Sequence, residues 1–546
     1  MSKLAKRVLG TLHTGFVLTR ARVLRPDRPD RVIRSLLLLK RWGPTPASGY
    51  AISAMRDPDR VAIHDERGSI TFRELHEQTN ALAASLRELG VLEGDGIAIL
   101  CRDHAGFIKA SVAASKLGAT VLLLNTSFAG PQIAEVCERE QPRVMIYDEE
   151  FIELCSAAAV GRTTVIAWHD GPVKPPWRTV DALVAAGDRA DLVPPRDRGR
   201  VVILTSGTTG SPKGASRHQP RSLDPAAKLF SRIPLRARET TVISSPLFHS
   251  WGYAHFTLGL ALSSTLILHR RYEPDQVLGS VERYRASALI VIPVMLQRIM
   301  ELGPEQLHRY DTSSLRVIAV SGSALPGELA LRVMDSFGDV LYNLYGSTEV
   351  AWATIASPRQ LRAAPGTAGT APVGTKLRLF DEDGRERTEP GQTGRIFVHN
   401  EMVMDGYTTG DGKTELDGLI ATGDVGYVDE QGRLFVSGRD DEMIISGGEN
   451  VFPREVEDLL ADYPGVDEVA VIGVRDREFG ERLRAFIVPA PGIAPDADAV
   501  KAHVRDNLAR FKVPRDVVFV EELPRTATGK VLKRMLDRGE GPSVQN

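Results

Sequence analysis

Short apolar runs alternate with helix-like patterns over most of this chain. Between about residues 51 and 340 these runs are typical of strands, and they lie at Ile97–Leu100, Thr120–Leu124, Arg143–Tyr147, Val201–Leu204 and Ala288–Ile292. Strands that alternate with helices favour α/β layers in which most strands are parallel. The pattern therefore predicts an α/β fold for this part of the chain.

The pattern changes after Glu349, where short strands are separated by turn residues. Leu377–Phe380 is followed by the turn sequence Asp381–Gly384, and Arg395–Val398 is another strand of this kind. This spacing predicts a small antiparallel or barrel-like unit that reaches about Val436.

A compact α+β unit is predicted after Gly438. Its strand candidates are Glu468–Ile472 and Ala485–Val488, and the tail after Arg538 is expected to fray. The predicted boundaries divide the chain into residues 1–50, 51–438 and 441–546.

The N-terminal segment combines an amphipathic pattern with positive charge. Leu4, Val8, Leu12 and Phe16 recur at every fourth position, which predicts a helix with an apolar stripe. Residues 1–41 contain eleven Lys or Arg and two Asp, a net charge of +9 that leaves −11 for the rest of the chain. Two interpretations stay open. The helix lies peripherally on an anionic membrane surface, or it packs on the body of the protein together with the later leucine run.

The apolar stretches of this segment are too short to cross a bilayer, which takes about twenty apolar residues. No Ala-x-Ala-like site follows them, so a secretory signal is not predicted either.

Composition is that of a globular protein, with 42% hydrophobic and 25% charged residues among 546. The net charge of −2 gives no reason to expect a nucleic acid partner. Cys101, Cys137 and Cys155 are scattered and lack metal-ligand spacing. They indicate reduced thiols and a cytoplasmic protein.

A loop rich in phosphate-binding groups follows the predicted strand at Val201–Leu204. Its glycines allow backbone N–H groups to converge on an anion, and hydroxyls and an ammonium complete the site. The residues predicted to bind polyphosphate are Thr205, Ser206, Gly207, Thr208, Thr209, Gly210 and Lys213. The spacing does not fit the P-loop motif, because Pro212 stands five residues after Gly207.

The string Thr-Ser-Gly-Thr-Thr-Gly-x-Pro-Lys-Gly resembles the nucleotide loop of the adenylate-forming superfamily, which includes acyl-CoA synthetases. This resemblance covers about residues 51–534 and implies two α/β layered subdomains, a small β-barrel and a mobile α+β C-terminal domain. Residues 51–438 then correspond to the AMP-binding domain. ATP, Mg²⁺ and coenzyme A are the implied cofactors and substrates.

Further motifs of this family occur in the expected order. Tyr345-Gly346-Ser347-Thr348-Glu349 resembles the motif in which the threonine contacts the α-phosphate and the glutamate holds Mg²⁺. A hard divalent ion prefers such carboxylate oxygens. Gly322, Ser323 and Ala324 resemble the loop that encloses adenine against the ring of Tyr345.

The remaining motifs lie near and beyond the predicted domain boundary. Asp424 resembles the aspartate that binds the ribose hydroxyls, and Arg439 is implied as a second ribose or phosphate contact. Asp441 aligns with the family's hinge. Gly447 and Gly448 resemble the segment that lines the approach of the thiol. Lys530 matches the catalytic lysine, whose ammonium stabilises charge that develops at the α-phosphate.

His249 lies where acyl-CoA synthetases have a histidine or an aromatic residue beside the acyl pocket, and it is a candidate for positioning the carboxylate. A histidine buried in the core is an equally good interpretation. Trp251, Tyr253 and Phe256 either line an apolar tunnel or pack in the core.

The resemblance implies a two-step ligase that converts a carboxylic acid, expected to be a medium- or long-chain fatty acid, to acyl-AMP and then acyl-CoA. Two alternatives stay open: an acyl-AMP ligase that loads a carrier protein, and a catalytically silent acyl-binding homologue. The oligomeric state is left open. The polar segment Ala215–Gln219 departs from the family, in which apolar residues follow the nucleotide loop. The packing after that loop is therefore in question.

Overall fold

The computed structural model describes residues 3–173, 176–205, 212–410, 412–446, 449–476, 480–493, 495–508, 510–526 and 529–537. Three helices open the chain: α1 (Lys3–Arg20), α2 (Pro29–Trp42) and α3 (Pro46–Arg56). None of the helices in these ranges is long and apolar enough to cross a membrane.

The predicted N-terminal helix is present, but its packed face differs from the predicted stripe. Leu12 and Phe16 are exposed by 65% and 67%, whereas Val17 and Leu18 are buried. The Thr14 hydroxyl donates a hydrogen bond of 2.7 Å to Asp224 in the body of the protein. The end of α1 therefore packs on the body of the protein through Val17 and Leu18, and Leu12 and Phe16 of the predicted stripe face outward.

Strands and helices alternate in the next part of the chain. Its elements are β1 (Val61–Asp65), β2 (Gly68–Thr71), α4 (Phe72–Glu88), β3 (Gly96–Leu100), α5 (Ala105–Leu117), β4 (Thr120–Leu123), α6 (Gly130–Glu140), β5 (Val144–Tyr147), α7 (Ile152–Cys155), β6 (Thr163–Ile166), β7 (Arg178–Thr179), α8 (Val180–Ala186), β8 (Val201–Thr205), β9 (Lys213–Arg217) and α9 (Asp224–Arg232).

The alternation continues to residue 363. Its elements are β10 (Thr240–Ile243), α10 (Ser250–Ala261), β11 (Thr265–Leu268), α11 (Pro274–Arg283), β12 (Ala288–Val291), α12 (Pro293–Glu301), α13 (Gly303–Leu307), β13 (Val317–Val320), α14 (Gly327–Phe337), β14 (Leu341–Tyr345), β15 (Thr354–Ala356) and α15 (Pro358–Ala363).

These strands form two sheets of eight. The first has the order β15-β14-β13-β12-β10-β11-β1-β2, and only its two end strands are antiparallel to their neighbours. The second has the order β19-β9-β8-β4-β3-β5-β6-β7, in which β8 to β7 run parallel and β9 and β19 (Gly406–Tyr407) pair antiparallel. Apolar residues of both sheets, such as Ile97 and Leu289, belong to one core cluster. The predicted α/β layers are confirmed.

An antiparallel sheet follows. Its strands are β16 (Lys376–Phe380), β17 (Glu386–Arg387), β18 (Gly394–His399), β20 (Glu415–Leu416), β21 (Leu419–Val428) and β22 (Leu434–Arg439). The predicted antiparallel unit is confirmed, and it extends to Arg439, three residues beyond the predicted end.

The last unit is a small α+β sheet, as predicted. Its elements are β23 (Ile444–Ser446), β24 (Glu449–Val451), α16 (Pro453–Ala461), β25 (Val466–Asp476), β26 (Gly480–Pro489), α17 (Ala497–Asn507), β27 (Asp516–Phe519) and α18 (Lys533–Asp537). The strand order is β24-β23-β26-β25, and β27 runs parallel to β26.

Candidate active site

The loops that follow several parallel strands meet at one large cavity of about 650 Å³. Ligand sites of open α/β sheets lie at such carboxyl ends of strands. Seven of the residues predicted from sequence line the cavity: Lys213, His249, Gly322, Thr348, Glu349, Arg439 and Lys530. Motifs that lie more than 300 residues apart in sequence are thus brought together.

Glu349 is a buried carboxylate in the wall of the cavity, exposed by only 8%. The Tyr407 hydroxyl donates a hydrogen bond of 2.6 Å to Glu349 Oε1. Burial favours the neutral carboxyl, but the Tyr407 hydroxyl, the Ser347 hydroxyl and the nearby Lys413 outweigh it and lower the pKa of Glu349. The carboxylate is therefore ionised at neutral pH and suits a divalent cation.

Arg217 lies in the polar segment that departs from the family. The segment forms β9, which pairs with β8, and Ala215 and Ser216 are buried there. The Arg217 guanidinium donates a hydrogen bond of 2.6 Å to the carbonyl oxygen of Thr348. Burial lowers the pKa of Arg217 to about 10, so it stays protonated at neutral pH. Arg217 therefore supports the loop that carries Thr348.

Asp424 and Tyr345 are hydrogen-bonded to each other. The Tyr345 hydroxyl donates to Asp424 Oδ2 at 2.6 Å, and Arg439 Nη1 lies 3.6 Å from Asp424 Oδ1. Burial raises the pKa of Asp424, while Tyr345 and Arg439 oppose that shift. In the predicted ribose-binding pair, the Asp424 carboxylate is thus fixed by a hydrogen bond and lies next to the Arg439 guanidinium. Gly423 precedes Asp424 with a φ of +85°, and a Cβ there would lie 3.2 Å from Arg439 Nη2.

The loop after β13 contributes only in part. Gly322 has a φ of +105° and lines the cavity, and a Cβ there would come within 3.2 Å of Ile292 Cγ2. Ser323 and Ala324 are exposed and are not among the residues that line the cavity. Their predicted adenine contact remains a prediction.

Lys530 reaches the cavity from the C-terminal unit. Its backbone N–H donates to Thr526 Oγ1 at 3.1 Å, and its carbonyl oxygen accepts from the Thr526 N–H at 2.8 Å. Gly529 precedes it with a φ of +76°, and a Cβ there would lie 2.4 Å from Val294 Cγ1 of α12. Only glycine therefore fits at position 529, where the C-terminal unit contacts α12.

His249 lies at the start of α10 and lines the cavity. Its Nε2 is buried and has no hydrogen-bond partner in the described part of the chain. Burial lowers the pKa of His249 to about 4, so the imidazole is neutral at pH 7. It can offer a hydrogen bond to a carboxylate, but not a charge.

The three aromatic residues of α10 have different environments. Trp251 lines the large cavity and donates a hydrogen bond of 3.0 Å to the Val291 carbonyl. Phe256 is fully buried and packs near Tyr50. Tyr253 lines a second cavity next to the first. Of the two predicted roles, Phe256 therefore packs in the core, whereas Trp251 and Tyr253 line cavities.

Several predicted residues lie outside the described residues, namely Ser206, Gly207, Thr208, Thr209, Gly210, Gly447 and Gly448. Thr205 is described through its backbone, which pairs with Lys213. Asp441 lies in a short 3-10 helix, Asp440–Glu442.

Sequence reasoning missed Tyr407 and Arg217. Each stands alone rather than in a motif. The only signal was for Arg217, which lies in the segment Ala215–Gln219 that departs from the family pattern.

Among the described residues, one group of side chains lies close enough to share a metal ion: Cys101, His104 and Asp148. His104 Nε2 is 2.8 Å from Asp148 Oδ1, and His104 Nδ1 accepts from the Gly106 N–H at 3.0 Å. The Cys101 thiol faces the Ile146 carbonyl at 3.7 Å. These contacts hold the loop between β3 and α5, and we treat the group as structural.

Two family models match the chain. The AMP-binding enzyme model matches residues 51–408, and the AMP-binding enzyme C-terminal domain model matches residues 455–530. Residues 1–50 precede both matches.

Characterised relatives cover most of the chain. Indoleacetate–CoA ligase of Aromatoleum aromaticum is 33% identical over 490 residues, which are 87% of this chain and 94% of the relative. Feruloyl-CoA synthase of Amycolatopsis sp. is 34% identical over 496 residues, covering 89% and 97%.

Solved structures agree with these relatives. ATP-bound MatB from Rhodopseudomonas palustris matches with a TM-score of 0.81 and 27% identity, covering 91% of this chain and 99% of that one. The o-succinylbenzoate CoA synthetase of Bacillus subtilis with its acyl-adenylate matches with a TM-score of 0.78 and 26% identity, over 91% and 99%. The chain therefore belongs to the AMP-binding enzyme family of the adenylate-forming superfamily, as an AMP-forming acid–thiol ligase.

Proposed function

We propose that this protein activates a carboxylic acid with an extended apolar tail, such as a medium- or long-chain fatty acid, and transfers the acyl group to coenzyme A. The observation that carries the proposal is the composition of the large cavity. Its lining includes the charged residues Lys530, Glu349 and Arg439 together with apolar residues such as Trp251 and Leu258. Charged and apolar side chains in one cavity suit an amphipathic acid.

The first step is adenylation. A carboxylate oxygen attacks the α-phosphorus of ATP, the bond to the bridging oxygen of the β-phosphate breaks, and pyrophosphate leaves. The Lys530 ammonium stabilises the negative charge that develops. The loop from Thr205 to Lys213 binds the phosphates, and Asp424 with Arg439 binds the ribose. His249 donates a hydrogen bond to the acid.

Glu349 fits a Mg²⁺ ion, because it is buried, ionised and in the cavity wall. Bound there with the phosphates, the ion would neutralise their charge.

The second step is thioester formation. The C-terminal unit, residues 441–546, turns about Asp441 and withdraws Lys530, and the segment with Gly447 and Gly448 lines the path of the thiol. The thiolate of coenzyme A attacks the acyl carbon, the bond to the phosphate oxygen breaks, and AMP leaves. Residues 51–438, the proposed AMP-binding domain, keep their position during both steps.

A second candidate is an aromatic or cyclic acid. The names of the relatives favour it, since two of them act on indoleacetate and on the acid of feruloyl-CoA. The large cavity includes Trp251, which can stack on a ring.

A panel of acids separates the two candidates. We expect turnover with coenzyme A to rise along a series from acetate to palmitate and to exceed turnover with indoleacetate and ferulate. The measurements are pyrophosphate release and acyl-CoA formation. Best turnover with the aromatic acids would reject the fatty-acid proposal. Parallel reactions with an acyl carrier protein test the other acceptor, and a lack of adenylation with every acid would indicate a silent homologue.

The Lys530→Ala variant tests the two-step assignment. We expect it to lose ATP–pyrophosphate exchange by at least a hundredfold and to retain thioester formation from presynthesised acyl-AMP. Lys501→Ala, which changes a lysine of α17 in the same unit, is the control. Equal losses in both half-reactions would contradict the assignment.

We also propose that the N-terminal helices bind peripherally to anionic membranes. The support is a set of exposed apolar side chains on α1 and α2, comprising Leu12, Phe16, Val32, Ile33, Leu36 and Leu37. Exposed basic residues stand among them, including Arg20, Arg28, Arg34 and Lys40. Apolar insertion and attraction to anionic lipid act together in such segments.

Vesicle co-sedimentation tests the membrane proposal. We expect binding to phosphatidylglycerol vesicles that exceeds binding to phosphatidylcholine vesicles and weakens in the double variant Leu12→Ser, Phe16→Ser. Leu92→Ser is the matched control, since Leu92 is exposed by 67% elsewhere on the surface. Equal binding by both variants would reject a role for α1.

A further inference from the structure

A second cavity of about 340 Å³ lies beside the large one, between α2, α3, α10, the start of β8 and the end of β9. Its lining is mostly apolar and includes Leu39, Ile52, Val201, Ile203, Tyr253 and Leu260. The helices approach closely at its floor, because a Cβ at Gly49 of α3 would lie 2.8 Å from the Leu260 Cβ of α10.

The two cavities are neighbours that share a wall. The residues common to both are Pro44, Arg217, Pro220, Leu223, Ser250, Ala254, Thr257, Ala261 and Met402. The two cavities are therefore adjacent along these nine residues.

The second cavity reaches the protein surface through apolar residues. Leu24, Val32 and Leu36 line it, and they are exposed by 50%, 41% and 61%. Exposed leucine and valine side chains that also line a cavity form an apolar mouth.

Positive charge near the mouth is paired. Arg56 Nε lies 2.8 Å from Asp27 Oδ2, and Arg25 Nη2 lies 3.4 Å from Asp57 Oδ2. Because these two arginines are paired with carboxylates, this end of the cavity does not favour an anionic group. Its apolar lining suits a hydrocarbon instead.

The outer wall lies outside the family match. Val23, Val32, Leu36, Leu39 and Gly49 all precede residue 51, where the AMP-binding enzyme match begins. The N-terminal segment therefore supplies the outer wall of the second cavity.

We propose that this second cavity binds the distal part of the substrate's apolar tail, and that α2 is a specificity-determining element. The inference rests on the proposed function, and it assigns the tail to residues outside the family match. Each methylene buried there improves kcat/KM about fourfold, since burial of one methylene contributes about 0.8 kcal/mol.

Two adjacent residues of α2 give a matched test. Leu39 lines the cavity and Leu38 does not, and both are half-buried. We expect Leu39→Trp to leave kcat/KM for hexanoate unchanged and to lower kcat/KM for palmitate at least tenfold. Leu38→Trp should keep the wild-type chain-length profile. Identical profiles for the two variants would overturn the inference.

A readout without catalysis separates this inference from the proposed function. Dodecanol has the tail but no carboxylate, and we expect it to raise the melting temperature of wild type and Leu38→Trp but not of Leu39→Trp. If no acid is activated, the proposed function fails while the dodecanol result still decides on the cavity. If acids are activated but dodecanol stabilises all three proteins equally, the tail lies elsewhere and the inference fails.

Discussion

Single polar groups set the charge state of the large cavity. Tyr407 donates to Glu349, Arg217 donates to the Thr348 carbonyl, and Tyr345 donates to Asp424. Each bond fixes a group that sequence motifs assign to the nucleotide. A hydrogen bond to a charged group contributes roughly 1.5–3 kcal/mol. These supporting residues should therefore affect activity measurably without contacting ATP.

Tyr407→Phe tests this support. Loss of the hydroxyl removes a donor that favours the ionised carboxylate, so the pKa of Glu349 rises. We expect the acidic limb of the kcat/KM profile to move to higher pH, so that the loss of rate relative to wild type is largest on the acidic side and becomes small by about pH 8.

Tyr310→Phe is the control for that variant. Tyr310 also donates to a carboxylate, Asp275, at 2.7 Å, but it lies outside the residues that line the cavity. A uniform loss of rate at all pH values in Tyr407→Phe would contradict the view that the hydroxyl acts by favouring the ionised form of Glu349.

At the scale of elements, Gly529, the residue before Lys530, packs closely on α12. Gly529 combines a positive φ with a close approach to Val294. We expect Gly529→Ala to lower ATP–pyrophosphate exchange at least tenfold and to leave thioester formation from acyl-AMP nearly unchanged. The added methyl group strains the backbone and displaces the loop only in the pose that places Lys530 in the cavity.

Gly492→Ala separates backbone strain from steric contact. Gly492 has a φ of +78° in the same unit, and nothing lies within 4 Å of a Cβ built there. Exchange that falls equally in both variants would attribute the effect to the strain of one residue rather than to the contact with α12.

The sequence predicted elements better than it predicted single contacts. Five strands of the two large sheets, β3, β4, β5, β8 and β12, were predicted individually, because strands covered on both faces form continuous apolar runs. Tyr407 and Arg217 were missed because their partners lie 58 and 131 residues away in sequence. Periodicity predicted α1 but not its packed face, since a helical stripe does not say what covers it. The pattern therefore gave no sign that Leu12 and Phe16 would be exposed.

At the scale of the whole molecule, three histidines whose pKa falls on folding tie stability to pH. Burial lowers the pKa of His76, His249 and His255 to about 4 in each case. A group whose pKa falls on folding binds its proton more weakly in the native state. Their contribution to stability is therefore present above pH 6.5 and is lost as the pH falls toward 4.

His255→Leu tests this dependence. His255 is exposed by only 2%, and a shift of this size corresponds to about 3 kcal/mol at most. We expect the melting temperature of the variant to fall less steeply between pH 6.5 and 4 than that of wild type. His308→Leu, at an exposed position, should follow wild type. Parallel curves for all three proteins would exclude His255 as a source of acid sensitivity.

The second cavity is lined by two parts of the chain, one inside the family match and one before it. Its inner wall, α10, lies within the family match, and its outer wall, α2, precedes that match. A change in α2 can alter which tails fit without touching a group assigned to ATP. Substrate choice is in this sense modular. An N-terminal segment exchanged between two such proteins should carry its preference along and leave the adenylation chemistry of the recipient intact.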